Sequence, residues 1–307
     1  MDLLPGIEAD GCAVYLREAK TLVVSDLHIG YESEVRSHGV QLPQRQREYF
    51  AKELDRLVAK HKPERVILAG DVKHAFGAIS KEEWDDVGEL LKRLQAHGCA
   101  VEVVGGNHDK LLKPILDKYG VPLRSALVID AAVAAEREAR SRAGAEKVLV
   151  VVPSRTDVLL RTRTRKSVPR QPEPASGGRS PQGKMLIIHG DATIDELLTT
   201  KAIDEKILTT ITTIICGHEH PAITISDGVR SETVKAFLVG EYRRGRKRFR
   251  MVVLPSFNPL AYGTDVLRER PLGPLLTAFG GFSAFAVLDG KVLAFGRVER
   301  LQRLQRA

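Results

Sequence analysis

Five short apolar runs, each stopping abruptly at residues able to bind a metal, constrain this 307-residue chain more than any other feature. They are Thr21–Ser25, Arg65–Ala69, Val101–Val104, Met185–Ile188 and Thr213–Cys216. Rich in Val, Ile and Leu and too short for helices, they read as strands buried on both faces. Helical patterns separate the first three. Leu42–Lys60 sets Tyr49, Phe50, Leu54, Leu57 and Val58 on one face, with Pro43 near its start. Ser80–His97 opens with Ser80 and Glu83 spaced as a capping box and stops at Gly98. A third helix is expected over Lys110–Tyr119, closed by Gly120. Strands alternating with helices predict parallel strands in an α/β fold.

The second half reads differently. Ala222–Ser226 and Thr233–Val239 flank Asp227-Gly228, and Ser283–Leu288 and Lys291–Phe295 flank Asp289-Gly290. Both pairs predict hairpins, so the sheets are expected to be mixed. One stretch breaks the pattern. Residues 153–184 hold five prolines, three glycines and the run RTRTRK, and are expected to form a flexible basic insertion in a single domain spanning 1–307. Ala131–Lys147 suits an exposed helix and Val148–Val152 a strand.

The residues just past each strand carry the chemistry. The ends present Asp26-Leu27-His28, Gly70-Asp71, Gly106-Asn107-His108-Asp109, His189-Gly190-Asp191 and Gly217-His218-Glu219-His220. Ligands in open α/β sheets bind at the carboxyl ends of strands, where loops distant in sequence converge. Oxygen from Asp and Asn together with nitrogen from His makes a borderline donor set. It suits manganese, iron, zinc, nickel or cobalt better than calcium. Seven such side chains exceed the needs of one ion and suit two, bridged by a carboxylate. The scattered cysteines, Cys12, Cys99 and Cys216, have no metal-ligand spacing and are expected to be buried thiols.

In this order the motifs resemble the calcineurin-like metallophosphoesterase superfamily, over roughly residues 20–222. The resemblance implies a four-layer α/β/β/α sandwich with mixed sheets. It implies that Asp26, His28 and His220 hold one divalent ion, that Asn107, His189 and His218 hold another, and that Asp71 bridges them. Manganese is the leading expectation. His108 is implied as the general acid or as the residue that polarises the phosphate, with Asp109 orienting its ring. One departure narrows the match: the second motif is Gly70-Asp71-Val72-Lys73-His74 rather than Gly-Asp-x-x-Asp. With Pro255-Ser256-Phe257-Asn258-Pro259 it resembles the ICC-like phosphohydrolases, which include ligase- and helicase-associated DNA-repair phosphoesterases. Lys73 and His74 are therefore candidates for contacting the substrate phosphate.

The net charge of +8 is local. Residues 155–184 contribute +6 and 241–250 contribute +5, so the rest of the chain is slightly acidic. Such patches suit a polyanion. The expected function is thus hydrolysis of nucleic-acid phosphodiesters by metal-activated hydroxide, with a DNA-repair helicase or ligase as the implied partner. A small-molecule or nucleotide phosphatase and a catalytically silent scaffold are the alternatives. No run of about 18 apolar residues occurs, and MDLLPGIEAD lacks the features of a secretory signal, so a cytoplasmic location without membrane partners is expected.

Overall fold

The computed structural model describes residues 1–40, 45–130, 183–226 and 230–306. The first sheet takes its strands in chain order. β1 (Asp2–Leu4), β2 (Ile7–Asp10), β3 (Ala13–Leu16) and β4 (Thr21–Val24) form an antiparallel meander. β5 (Arg65–Ala69), β6 (Ala100–Val104) and β7 (Leu123–Arg124) then add to β4 in parallel. The crossovers carry α1 (Tyr31–Ser37), α2 (Gln46–His61), α3 (Lys81–Ala96) and α4 (Lys113–Lys118).

The second sheet is built on a parallel core of β9 (Lys184–Ile187), β10 (Ile211–Cys216) and β13 (Lys247–Val253). β8 (Leu127–Asp130) pairs antiparallel with β9. β12 (Ser231–Arg244) pairs antiparallel with β13, β11 (Pro221–Ser226) and β15 (Ser283–Leu288). β14 (Thr264–Asp265) joins β11, and β16 (Lys291–Arg297) joins β15. α5 (Ile194–Thr199), α6 (Glu205–Thr210) and α7 (Val298–Arg306) complete this half.

Side chains alternate along each strand, so each sheet has two apolar faces to cover. Leu22, Val24, Val66 and Leu68 pack under Phe50, Leu54, Leu57, Leu91 and Leu94 of α2 and α3. Val23, Ile67 and Ala69, on the opposite face, meet Ile187, Ile215 and Val252 of the second sheet. Leu186, Ile214 and Met251 face outward onto Ile194, Leu197 and Leu208. Three cores separated by two sheets make the four layers α/β/β/α.

The five expected strands ahead of the site loops, the strand pairing of both expected hairpins and the Ser80 capping box are present, while Asp227-Gly228 lies outside the described residues. Three boundaries move. α4 starts at Lys113 rather than Lys110, because Pro114 has no N–H to bond the Lys110 carbonyl and fits only the first turn of a helix. α2 starts at Gln46, while 41–44 lie outside the described residues. Lys184, read as the end of the basic insertion, instead opens β9. The helix expected over Ala131–Lys147, the strand over Val148–Val152 and the insertion up to 182 lie outside the described residues. Among the described residues no helix is long and apolar enough to cross a membrane.

Candidate metal centre

Five parallel strands, β4, β5, β6, β9 and β10, point their carboxyl ends to one edge of the sandwich, and the loops leaving them meet there. Asp26, His28, Asp71, His218 and His220 all have positive φ, between 42° and 67°. Left-handed backbone costs non-glycine residues about 1–3 kcal/mol each and persists only where surrounding bonds impose it. Those bonds are present. The N–H of Asp26 donates to Gly70 O (3.0 Å), that of His28 to Asp71 O (2.8 Å), and that of Ile29 to Val72 O (2.9 Å). Gly217 is required by contact: a Cβ there would sit 1.8 Å from Ser25 Oγ and 2.4 Å from Asp26 Oδ2.

The donor atoms form two groups. In the first, His220 Nε2 lies 3.1 Å from Asp26 Oδ1 and 3.3 Å from His28 Nε2. In the second, His189 Nε2 lies 3.3 Å from Asp71 Oδ2, 3.3 Å from Asn107 Oδ1 and 3.2 Å from His218 Nδ1. Asp71 Oδ2 is also 3.8 Å from His28 Nε2, so one carboxylate oxygen faces both groups. Donors about 2.0–2.2 Å from a shared cation stand roughly 3–3.5 Å apart, which is the spacing seen within each group. All seven expected side chains are thus brought together, and the His and Asp clusters suit divalent metal binding.

Electrostatics favour the same reading. Burial alone would raise the Asp26 and Asp71 carboxyls. Facing imidazoles, His220 at Asp26 and His189 at Asp71, overcome it and hold both below the usual carboxylate range. Burial lowers His28 to about 3, and lowers His218 as well, keeping these imidazoles neutral and available as donors. His189 is the exception: burial works against its charge, but the bond to Asp71 and the nearby Asp26 raise it to about 10. Its Nδ1 lies 3.2 Å from Ala69 O, a carbonyl that accepts Nδ1–H and leaves Nε2 for the cation.

His74 has partners other than those expected of a phosphate contact. Its Nδ1 is 3.3 Å from His28 Nδ1 and its Nε2 is 3.1 Å from Glu34 Oε2. One proton arrangement satisfies all three groups. His28 Nδ1–H donates to His74 Nδ1, and His74 Nε2–H donates to Glu34. His28 Nε2 is then free to bind metal, its tautomer set by the relay. Lys73 is fully buried and its Nζ donates to Ala75 O, so it does not project into solvent.

Asp109 corrects another expectation. Its Oδ1 accepts from the N–H of Val72 (3.0 Å) and Lys73 (3.3 Å), and its Oδ2 from that of Gly106 (3.0 Å). The carboxylate staples two site loops together and does not hold the His108 ring. That ring is held by its Nδ1–H, donated to His74 O, which leaves Nε2 3.8 Å from Asp71 Oδ2.

The family Calcineurin-like phosphoesterase matches residues 19–222, about two thirds of the chain and the whole span that carries the donor set. This chain belongs to the calcineurin-like phosphoesterase family. It is a metal-dependent phosphoesterase, a hydrolase of phosphoric esters. Among solved structures it is similar to the Pseudomonas putida nuclease MPE, at 17% identity and TM-score 0.49, covering 92% of this chain and 91% of that one. It is also similar to the Escherichia coli phosphoesterase YfcE, at 14% identity and TM-score 0.35, covering 89% and 96%. Zinc-complexed Vps29 from Entamoeba histolytica matches at 15% identity and TM-score 0.31, covering 89% and 94%. Among curated proteins no match is found. The four-layer arrangement rests on this chain's own strand pairing rather than on these likenesses.

Several residues that brace the phosphoesterase site carried no signal of their role in the sequence. Lys235 Nζ, largely withdrawn from solvent, donates to Ser256 O (2.7 Å) and to Asn258 O. Ser256 Oγ in turn donates to Asp26 O (2.8 Å), and Gln46 Nε2 to His28 O (3.0 Å). Glu219, between two candidate ligands, accepts from the N–H of Leu272 (2.7 Å) and Gly273 (3.0 Å), drawing that loop against His218. The Pro255–Pro259 motif was visible only as part of the resemblance; its work is to support Asp26 and His28 from behind.

Proposed function

We propose that this chain is a binuclear metal-dependent phosphodiesterase acting on nucleic acid. The carrying observation is the Asp71 oxygen facing both donor groups, 3.8 Å from His28 Nε2 and 3.3 Å from His189 Nε2. In this reading Asp26, His28 and His220 hold one ion, Asn107, His189 and His218 the other, and Asp71 is shared. Manganese is the first candidate. When bound, such a pair supplies Lewis acidity to the phosphate oxygens and lowers the pKa of water.

The chain's own residues supply position and the proton. The Asp71 Oδ1 atom accepts from the His108 N–H (3.0 Å), tying the general-acid loop to the shared carboxylate. With Nδ1 committed to His74 O, His108 carries its transferable proton at Nε2 and releases it to the leaving oxygen. The His74–Glu34 pair keeps His28 in one tautomer, and Asp109 keeps the 70–73 and 106–109 loops in register.

The polyanion part rests on the ICC-like motif set. One observation favours a nucleotide hydrolase as the second reading: the basic window 241–250 is remote from the site. It forms the tip of the β12–β13 hairpin, and β13 runs parallel to β10, so the tip lies beyond the amino end of β10. Six residues of strand separate Lys247 from Val253, roughly 20 Å. Arg244 is also paired with Asp195 and Glu205.

Turnover against salt separates the two. With Mn²⁺, kcat/KM on an oligonucleotide is predicted to fall steeply between about 50 and 200 mM salt. Rapid, salt-insensitive hydrolysis of mononucleotides with no attack on oligonucleotides would assign the second reading instead.

A further inference from the structure

All 16 aromatic residues of the chain lie within the described residues, and 14 of them are buried or half-buried. The two exposed ones are Phe76 at 65% and Tyr262 at 66%. Phe76 lies directly on His108, with ring centroids 3.6 Å apart and planes inclined by 32°. It extends the second motif in the loop that passes His74 and Ala75. Tyr262 stands just before two residues that pack against the His220 backbone. Gly263 is packed so closely that a Cβ there would fall 1.8 Å from His220 O, and the Thr264 N–H donates to that same carbonyl (2.9 Å). One exposed ring therefore lies on the general acid, and the other belongs to the residue that precedes the segment packed on the backbone of His220, a ligand of the first cation group.

A large aromatic left in water forgoes the burial that the other fourteen obtain, and a π-face beside a phosphate-processing centre has a natural occupant. We propose that Phe76, with Tyr262 as a second exposed ring, is a stacking platform for unpaired bases beside the scissile phosphate, and that the enzyme selects single-stranded nucleic acid. Bases paired and stacked in a duplex cannot offer their faces to such rings, whereas every unpaired base can, whatever its identity. The inference rests on the nucleic-acid reading and adds to it the strand form of the substrate. The proton from His108 Nε2 goes to the leaving oxygen; Phe76 contributes no group to bond making or breaking.

The test compares two single-stranded DNA oligonucleotides, identical except that one lacks the bases flanking a single cleavable phosphodiester, its other linkages being methylphosphonates. Wild type with Mn²⁺ is expected to cleave the base-bearing strand with a kcat/KM about tenfold or more above the abasic one, from stacking of about 1–3 kcal/mol per base. In Phe76→Ala that ratio is expected to fall toward one, and Phe76→Trp to restore it; Tyr262→Ala is expected to lower it likewise. Binding of a fully uncleavable strand carrying 2-aminopurine at the flanking position, measured without metal, supplies a second readout. Its fluorescence is expected to be quenched by wild type and Phe76→Trp but not by Phe76→Ala. Equal cleavage of the two strands by wild type would overturn the stacking inference while leaving the phosphodiesterase reading intact. So would a Phe76→Ala variant that loses activity on both strands in proportion, because the ring would then serve only to support His108. Cleavage of bis-p-nitrophenyl phosphate with no cleavage of either strand would overturn the nucleic-acid reading itself.

Discussion

His108 and Lys235 act on the same centre by different routes, and their variants are expected to part accordingly. His108→Ala removes a proton donor while leaving every candidate ligand in place. Its kcat on an unactivated phosphodiester is predicted to fall about a hundredfold or more. Metal content, measured by elemental analysis, should stay at the wild-type level. Lys235→Met instead leaves the Ser256 and Asn258 carbonyls without their donor behind Asp26. The variant is predicted to lose about 2 kcal/mol of stability. Mn²⁺ affinity, read by calorimetric titration, should weaken about tenfold or more, as is usual when the support of a ligand is removed. A Lys235→Met protein that binds Mn²⁺ as tightly as wild type would show that Asp26 needs no such support.

Elements are joined to one another by charge as well as by packing. Asp10 at the end of β2 is buried, and burial alone would raise its carboxyl. Arg56, Lys60 and His61 of α2 all bond it and hold it far below the usual carboxylate range. A folded-state value below the ordinary one of about 4 gives stabilisation that is complete above that pH and is lost progressively as pH falls from there to the folded-state value. Asp10→Asn is therefore predicted to cost about 2 kcal/mol at neutral pH, with the gap to wild type closing steadily below about pH 4 in denaturant titrations. At the same scale, the elements legible in the sequence were those that satisfy a strong local rule. The strands ahead of the ligands are buried on both faces and read as unbroken apolar runs. The α3 helix announces itself through Ser80, Glu83 and a regular apolar stripe. The β1–β3 meander gave no such signal, because three- and four-residue strands joined at Gly6 and Gly11 are too short for periodicity to emerge. The basic window 241–250 hid a hairpin for a related reason: its charges obscured the alternation of Tyr242 and Phe249, which pair across β12 and β13. The seven candidate ligands were legible from their order after strands. Their braces were not, since a lysine donating to backbone carbonyls leaves no pattern along the chain.

Across the whole molecule the two sheets bring their parallel carboxyl ends to one edge and send the basic hairpin out at the other. That separation makes the hairpin dispensable for chemistry on short substrates. Arg243→Ala combined with Arg248→Ala is predicted to change kcat/KM on a four-nucleotide strand by less than about twofold, while long DNA elutes from the protein at lower salt. A large loss on the short strand would mean that the hairpin reaches the site by some path the sheet topology does not provide. Seven side chains converge on a place for a pair of cations, and those cations can be counted. After reconstitution with Mn²⁺ and removal of free metal, elemental analysis with electron paramagnetic resonance is predicted to find two exchange-coupled ions per chain in wild type and no coupled pair in Asp71→Ala. A fully active wild-type enzyme holding a single isolated ion would contradict a two-ion centre.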